Sequence, residues 1–223
     1  MTSNAATDWF DRLSAIELAA HLCDLPPCPQ ARRRYESELS YGRYDGPPPP
    51  DARAAAVVVL LYPTAAGWSL PLIVRPPGTS LHAGQISLPG GAVEPREECA
   101  TAARRELQEE LGVVTAAPNV IGRLSELYIF ASNFVVTPWV AVIDHAPDWQ
   151  PQPTEVVQVL PLALRWLTDP RATCVGTRRI RNVAIRSPYI AIGSHQVWGA
   201  TSLILGELIA VLHGTGGPIG DGR

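Results

Sequence analysis

The chain of 223 residues contains no lysine, so all 18 of its basic residues are arginine. Charge of either sign is sparse, at 17% of residues, and the net charge is −3. The arginines are scattered along the sequence, which argues against a nucleic-acid partner or an anionic membrane surface. An anionic ligand must therefore be met locally, by a metal ion or by a few arginines. Cysteine is also scarce. Cys23, Cys28, Cys99 and Cys174 show neither zinc-type spacing nor the density of a disulfide framework, so reduced thiols in a cytoplasmic protein are expected. The longest apolar run, Ala54 to Tyr62, is about half the length that spans a bilayer. Asp8, Asp11 and Glu17 interrupt the N-terminal stretch, and no signal peptide is expected. With 46% hydrophobic residues, the chain has enough apolar material for one sizeable core in a soluble protein.

Apolar residues recur at helical intervals from Asp8 to Leu22, which predicts an amphipathic helix ended by PPCP. YDGPPPPDA, residues 44–52, then reads as a stiff, extended break. These signals divide the chain into an N-terminal helix and linker (1–50), a main domain (51–213) and a frayed tail (214–223). The main domain opens with two buried-strand patterns, AAAVVVLLY (54–62) and LPLIVR (70–75). Val120 to Phe130 and Phe134 to Ile143 read as a strand pair, and Glu155 to Leu162 as a further strand. Thr177 to Ile192 reads as a hairpin turned near Arg186 to Pro188, and Thr201 to His213 as a closing helix. Helices and strands mix without βαβ alternation, so the expected class is α+β, a mixed sheet covered by helices.

Glutamate, by contrast, is concentrated. Residues 90–113 read GGAVEPREECATAARRELQEELGV, with six glutamates. Pro95 suits a first helical turn and Gly112 a left-handed C-terminal position, which predicts a helix from Pro95 to Leu111. At helical spacing Ala100, Ala103, Leu107 and Leu111 form an apolar stripe, while Glu106, Glu109 and Glu110 crowd an adjacent face. Such carboxylates repel by a few tenths of a kcal/mol per exposed pair, roughly. A solvated acidic face is the ordinary reading of a cluster like this. A divalent cation would remove the repulsion, and carboxylate oxygens suit Mg²⁺ or Mn²⁺. Just upstream, AGQISLPGG supplies small residues where backbone can approach a phosphate or metal closely.

The spacing decides between the two readings. Gly91, five residues, Glu97, seven residues, Arg105-Glu106-Leu107, one residue, Glu109-Glu110, one residue and Gly112-Val113 match the signature of the Nudix hydrolase family without a break. The resemblance implies a mixed sheet between helices (α/β/α) with an N-terminal helical extension, and hydrolysis of nucleoside diphosphates linked to another moiety. It implies Glu106 and Glu110 as the principal Mg²⁺ or Mn²⁺ ligands, Glu109 as a further ligand or the water-orienting group, and the carbonyl of Gly91 as a completing ligand. Arg105 would pair with Glu97 and hold the loop against the helix. A carboxylate must accept a proton from water; Glu109 is the first candidate, and Glu155, outside the signature, the second.

A second resemblance concerns the substrate. PLIVRPPGTSLHAGQISLPGG, residues 71–91, is similar to the motif of coenzyme A pyrophosphatases within that family, with Arg75, His82, Gly84, Gln85, Pro89, Gly90 and Gly91 at matching positions. FASNFVVTPWVAVI, PTEVVQVLPLALRWL and HQVWGATSLILGEL extend the likeness over residues 51–213. It implies a small-molecule substrate, coenzyme A or a thioester of it, and a homodimer. Three positions depart from the pattern: Pro76, Leu88 and Ser80, where the subfamily has a second arginine. Arg75, Arg178, Arg179 or Arg181 would then have to meet the 3′-phosphate of coenzyme A, while Trp139 and Trp198 read as core or interface residues or as adenine platforms. ADP-ribose, NADH or another nucleoside diphosphate derivative is the alternative substrate. A non-catalytic nucleotide sensor is disfavoured because every signature glutamate is present.

Overall fold

Strand β1 (Arg53–Thr64) is the axis of the molecule. Its side chains alternate, with Ala55, Val59 and Leu61 entering one apolar cluster and Ala56, Val58, Leu60 and Tyr62 the other. A strand buried on both faces needs cover on both. Helix α2 (Cys99–Leu111) supplies it on one side, through Ala102, Ala103, Leu107 and Leu111. On the other side lie α1 (Ala15–Cys23) and α4 (Ala200–Leu212). Each fully buried leucine contributes about 1.5–3 kcal/mol to this packing. The structure, a computed structural model, describes residues 9–23, 26–38, 47–78, 84–114, 119–180 and 183–213.

The sheet is mixed, as expected. β1 runs parallel to β7 (Phe134–Val142) and antiparallel to β4 (Gly90–Ala92) and β2 (Gly67–Val74). β2 in turn pairs with β3 (Ile86–Ser87) and β8 (Gln158–Ala163). β7 carries β5 (Val120–Arg123) and β6 (Leu127–Ile129). After a short helix α3 (Leu164–Thr168), a second sheet is formed by β9 (Thr173–Ile180), β10 (Val183–Ile192) and β11 (His195–Val197). The arrangement is the mixed sheet between helices that the resemblance implies. No helix among the described residues is long and apolar enough to cross a membrane.

Four local readings are corrected. The first helix is broken: a 3-10 turn at Trp9–Arg12 precedes α1, because Ser14 and Glu17 form a capping box, with Ser14 N–H donating to Glu17 Oε2 at 2.8 Å. Helix α2 begins at Cys99, not Pro95, because residues 94–97 form a turn in which Glu97 N–H donates to Glu94 O at 3.1 Å. Val120 to Phe130 is two strands, since residues 125 and 126 turn their backbone towards Arg32 and Glu207. Finally, the β9–β10 hairpin reverses between Ile180 and Val183; Ser187 and Pro188 lie within β10, opposite Gly176 and Val175. Ser80, His82 and the tail 214–223 fall outside the described residues.

The N-terminal segment is packed into the core of its own chain. Phe10, Leu18, Leu22, Cys28 and Tyr35 are buried with α4. A 3-10 stretch, Pro29–Tyr35, delivers Arg32, whose Nη2 meets Glu207 Oε2 of α4 at 2.5 Å, both side chains being almost fully buried. Glu207 Oε1 also accepts from Cys28 N, Ser125 N and Ser125 Oγ. Removing one partner of such a pair leaves an uncompensated buried charge. Glu207→Ala is therefore expected to lower the unfolding free energy by about 3–5 kcal/mol in urea denaturation. A loss below about 1 kcal/mol, the range of an exposed pair, would contradict the assignment.

Candidate active site

Two short pieces of chain converge beneath β1. β4 brings Gly90 and Gly91 alongside Ala56 and Val57, and α2 crosses close by with its acidic face turned towards them. The approach depends on missing side chains. At Gly90, with φ 147°, a Cβ would lie 2.2 Å from Ala56 O, and at Gly91 it would lie 2.4 Å from Glu106 Oε1. Both glycines therefore admit the neighbouring groups that any larger residue would exclude.

Glu110 is the deepest acid of this cluster, at 1% exposure. Its Oε2 accepts from the backbone N–H of Gly90 at 2.8 Å. Its Oε1 lies 3.2 Å from Arg75 Nη2, yet is a buried atom with no hydrogen bond. Burial pushes this carboxyl up to about 7; Arg75 and the Gly90 N–H pull it down, and Glu106 and Glu155 push it further up. Glu106 is also raised by burial, an effect offset by Arg105 and reinforced by Glu109 and Glu155.

Arg105 organises the rest of the cluster. Its Nε and Nη2 form a two-pronged contact with Glu97 at 2.9 and 3.1 Å, and Nη2 also donates to Ala92 O at 3.1 Å. Its Nη1 reaches Glu106 Oε1 at 2.9 Å and Glu109 Oε2 at 2.8 Å. Hydrogen bonding to Glu97 holds Arg105 still more firmly protonated, and the same contact lowers the Glu97 carboxyl. Glu97 Oε2 additionally takes the Glu94 N–H at 3.0 Å, which closes the turn whose third residue, Arg96, has φ 70°. A non-glycine residue in that region is strained, and the bonds of Glu97 compensate.

The acids that the spacing brought together are thus together in space: Glu106, Glu109 and Glu110 on about one helical turn, with Arg105 and Glu97 bracing them. Glu155 joins them from outside the pattern. The loop carrying it is strapped to the end of α2 by Gln150 N to Leu111 O at 2.9 Å and Gln152 N to Glu110 O at 3.0 Å. Glu155 acts on Glu106 and Glu110 through its charge, and no local signal in PQPTE foretells this, because it depends on a loop some forty residues further along the chain. Arg75 turns inward to Glu110, Gly90 O (3.0 Å) and Ser87 Oγ (3.3 Å), while Gln85 O and Gly84 N hydrogen bond to Arg75 N and Pro76 O. Ser87 carried no signal in the sequence beyond lying on the strand that pairs with the end of β2. Trp139 packs against α2, its Nε1 3.4 Å from Cys99 Sγ.

Among the described residues, no group of three or more acidic, histidine or cysteine side chains stands gathered so that it could hold a metal ion. The guanidinium groups of Arg75 and Arg105 take up the acids instead. The donor set nevertheless fits a hard divalent cation: oxygen ligands only, a buried carboxylate oxygen without a hydrogen bond, and net negative charge concentrated at one mouth. Glu106 and Glu110 would be the residues to hold such an ion, with Glu109 more open, its side chain 54% exposed.

The NUDIX domain family model matches residues 52–169, just over half of the chain. A protein of Photorhabdus laumondii named as an uncharacterised Nudix hydrolase, NudL, is 27% identical over 155 residues, covering 62% of this chain and 80% of its own. The Salmonella paratyphi B protein of the same name is 33% identical over 155 residues, covering 62% and 78%. In fold, the chain is similar to the crystal structure of a MutT/nudix family protein from Enterococcus faecalis, with TM-score 0.54 and 17% identity over 96% of this chain and 76% of that one. Sequence match, fold and the gathering of the signature acids on a single turn agree that this chain is a member of the Nudix hydrolase family.

Proposed function

We propose that the protein hydrolyses the diphosphate bond of coenzyme A or its thioesters, with Mg²⁺ or Mn²⁺, giving 3′,5′-ADP and 4′-phosphopantetheine or its acyl form. The observation that carries this reading is the contact between Arg75 and Glu110. Arg75 belongs to the stretch similar to coenzyme A pyrophosphatases, and Glu110 to the Nudix signature. The two motifs therefore form one physical site rather than two neighbours in sequence.

Nudix hydrolases work with divalent metal ions. Glu106 and Glu110 would hold the cation, which when bound would neutralise the diphosphate's negative charge and acidify water. The chain's own residues do the positioning. Gly90 and Gly91 let β4 lie against β1 and beside Glu106, and Arg105 fixes the loop 92–97 against α2. Glu109, exposed at the rim, accepts the proton from the attacking water. Gly84 and Gln85 flank the same strand end and take part in holding the substrate; His82 is given the same role on the resemblance alone.

Three outcomes follow. In a substrate panel of coenzyme A, ADP-ribose, NADH and diadenosine polyphosphates, coenzyme A is expected to show the largest kcat/KM; preference for any of the others would reject it as the substrate. Glu110→Gln is expected to reduce kcat by about two orders of magnitude or more while leaving the circular dichroism spectrum unchanged; turnover at the parent rate would remove Glu110 from the site. The third concerns pH. Because the Glu110 carboxyl titrates near 7 without a cation, it is protonated below that pH and must lose its proton to ligate. The thermal stabilisation given by Mg²⁺ is thus expected to grow from about pH 6 to about pH 8. For the metal-free protein the sign is opposite. A carboxyl raised above its unfolded value favours the fold at low pH, and this contribution is lost as pH rises towards 7. Mg²⁺ stabilisation that is equal at both pH values would contradict the assignment.

A further inference from the structure

Basic residues outnumber acids over one long stretch near the end of the chain. Residues 156–206 contain six arginines and a single acid, Asp169. Asp169 is taken by Arg171 (Nη2 to Oδ2, 2.6 Å), and Arg186 reaches across to Glu38 at 3.8 Å. Arg178, on β9, has no acidic partner among the described residues. Its guanidinium carbon lies 4.3 Å from the centre of the Trp198 ring and 5.8 Å from that of Tyr189. Its Nη2 donates to Gln196 Oε1 at 3.0 Å, and its Nε is buried without a hydrogen bond. Indole stacking and the Gln196 contact fix the plane of the guanidinium in advance, a geometry that presents its edge to a phosphate.

The position of this arginine relative to the acids is set by the strand carrying Ser87. Ser87 Oγ accepts from Arg75 Nε, and Arg75 touches Glu110. On its other side the same strand receives Thr201 Oγ1, which donates to Ile86 O at 3.3 Å from the first turn of α4, directly after Trp198 and Gly199. β11, which carries Gln196, packs against β3. Arg178 is thus linked to the acidic cluster through Gln196 of β11, which packs against β3, and through Ser87 of β3 to Arg75.

Resting on the coenzyme A reading above, we propose that Arg178, held on Trp198, is a specificity-determining residue that binds a phosphomonoester of the substrate separate from the diphosphate that is cleaved. In coenzyme A that group is the 3′-phosphate. Substrates with a bare ribose in its place forgo the contact.

The test measures binding apart from turnover. By titration calorimetry, adenosine 3′,5′-bisphosphate is expected to bind the parent protein about tenfold or more tighter than 5′-AMP. Arg178→Gln is expected to abolish that difference and Arg178→Lys to retain part of it. Equal affinity for the two nucleotides in the parent, or a preference that survives Arg178→Gln, would overturn the proposal. Trp198→Leu supplies an independent check: it should shrink the preference without removing 5′-AMP binding, and an unchanged preference counts against the stack. Coenzyme A turnover, assayed in parallel, separates the two claims. Turnover without any preference for the bisphosphate refutes the phosphate site alone. A preference lost in Arg178→Gln, in an enzyme that ignores coenzyme A, refutes the substrate reading alone.

Discussion

The burial of one carboxylate, Glu110, governs the architecture of the site. An acid at 1% exposure is unfavourable unless something meets its charge. Here the Gly90 N–H and the Arg75 guanidinium do so in part, and one oxygen is left without a hydrogen bond. The need to place that acid explains several features that otherwise have separate descriptions. Gly90 must lack a side chain so that its strand can lie against β1, and its N–H must point at α2. The helix must begin only at Cys99, so that its last turns pass under β4. Arg75 must end its strand facing inward.

Arg105 plays the complementary part for the outer acids. One guanidinium touches Glu97, Glu106, Glu109 and the Ala92 carbonyl. It therefore ties the loop before α2 to the helix itself, and it offsets the repulsion between neighbouring carboxylates. The strained residue at Arg96 fits this picture, since the turn it belongs to is closed by the same Glu97 that receives Arg105. On the far side of the sheet, the Arg32–Glu207 pair fixes the N-terminal segment to α4 and the loop at Ser125. The site and the scaffold thus each rely on a glutamate sunk beside an arginine.

Much of this was readable in advance. The alternation and apolar runs around β1, β2 and β7 indicated their strands, and of the stripe Ala100, Ala103, Leu107 and Leu111 the last three lie on the buried face of α2, while Ala100 is half-buried and Ala102 is buried in addition. Fixed spacing carried the site, because a helix converts intervals of three and four residues into one face. Readings failed where tertiary contacts override local preference. Pro95 looked like a helix start but serves a turn stabilised by Glu97. Pro188 looked like a hairpin corner but lies within a strand. Arg75, which touches Glu110, and Glu155, which acts on Glu106 and Glu110 through its charge, show the same limit at the site: both effects depend on chain segments dozens of residues apart, which no local period records.

The central claim is that Glu106 and Glu110 hold a divalent cation at the mouth formed by β4 and α2. Anomalous diffraction from crystals soaked in Mn²⁺ with a non-hydrolysable diphosphate tests it most directly. The account predicts a manganese peak bridging those two carboxylates beside Gly91. A peak elsewhere, or none, with both acids still bound to Arg75 and Arg105, would contradict it.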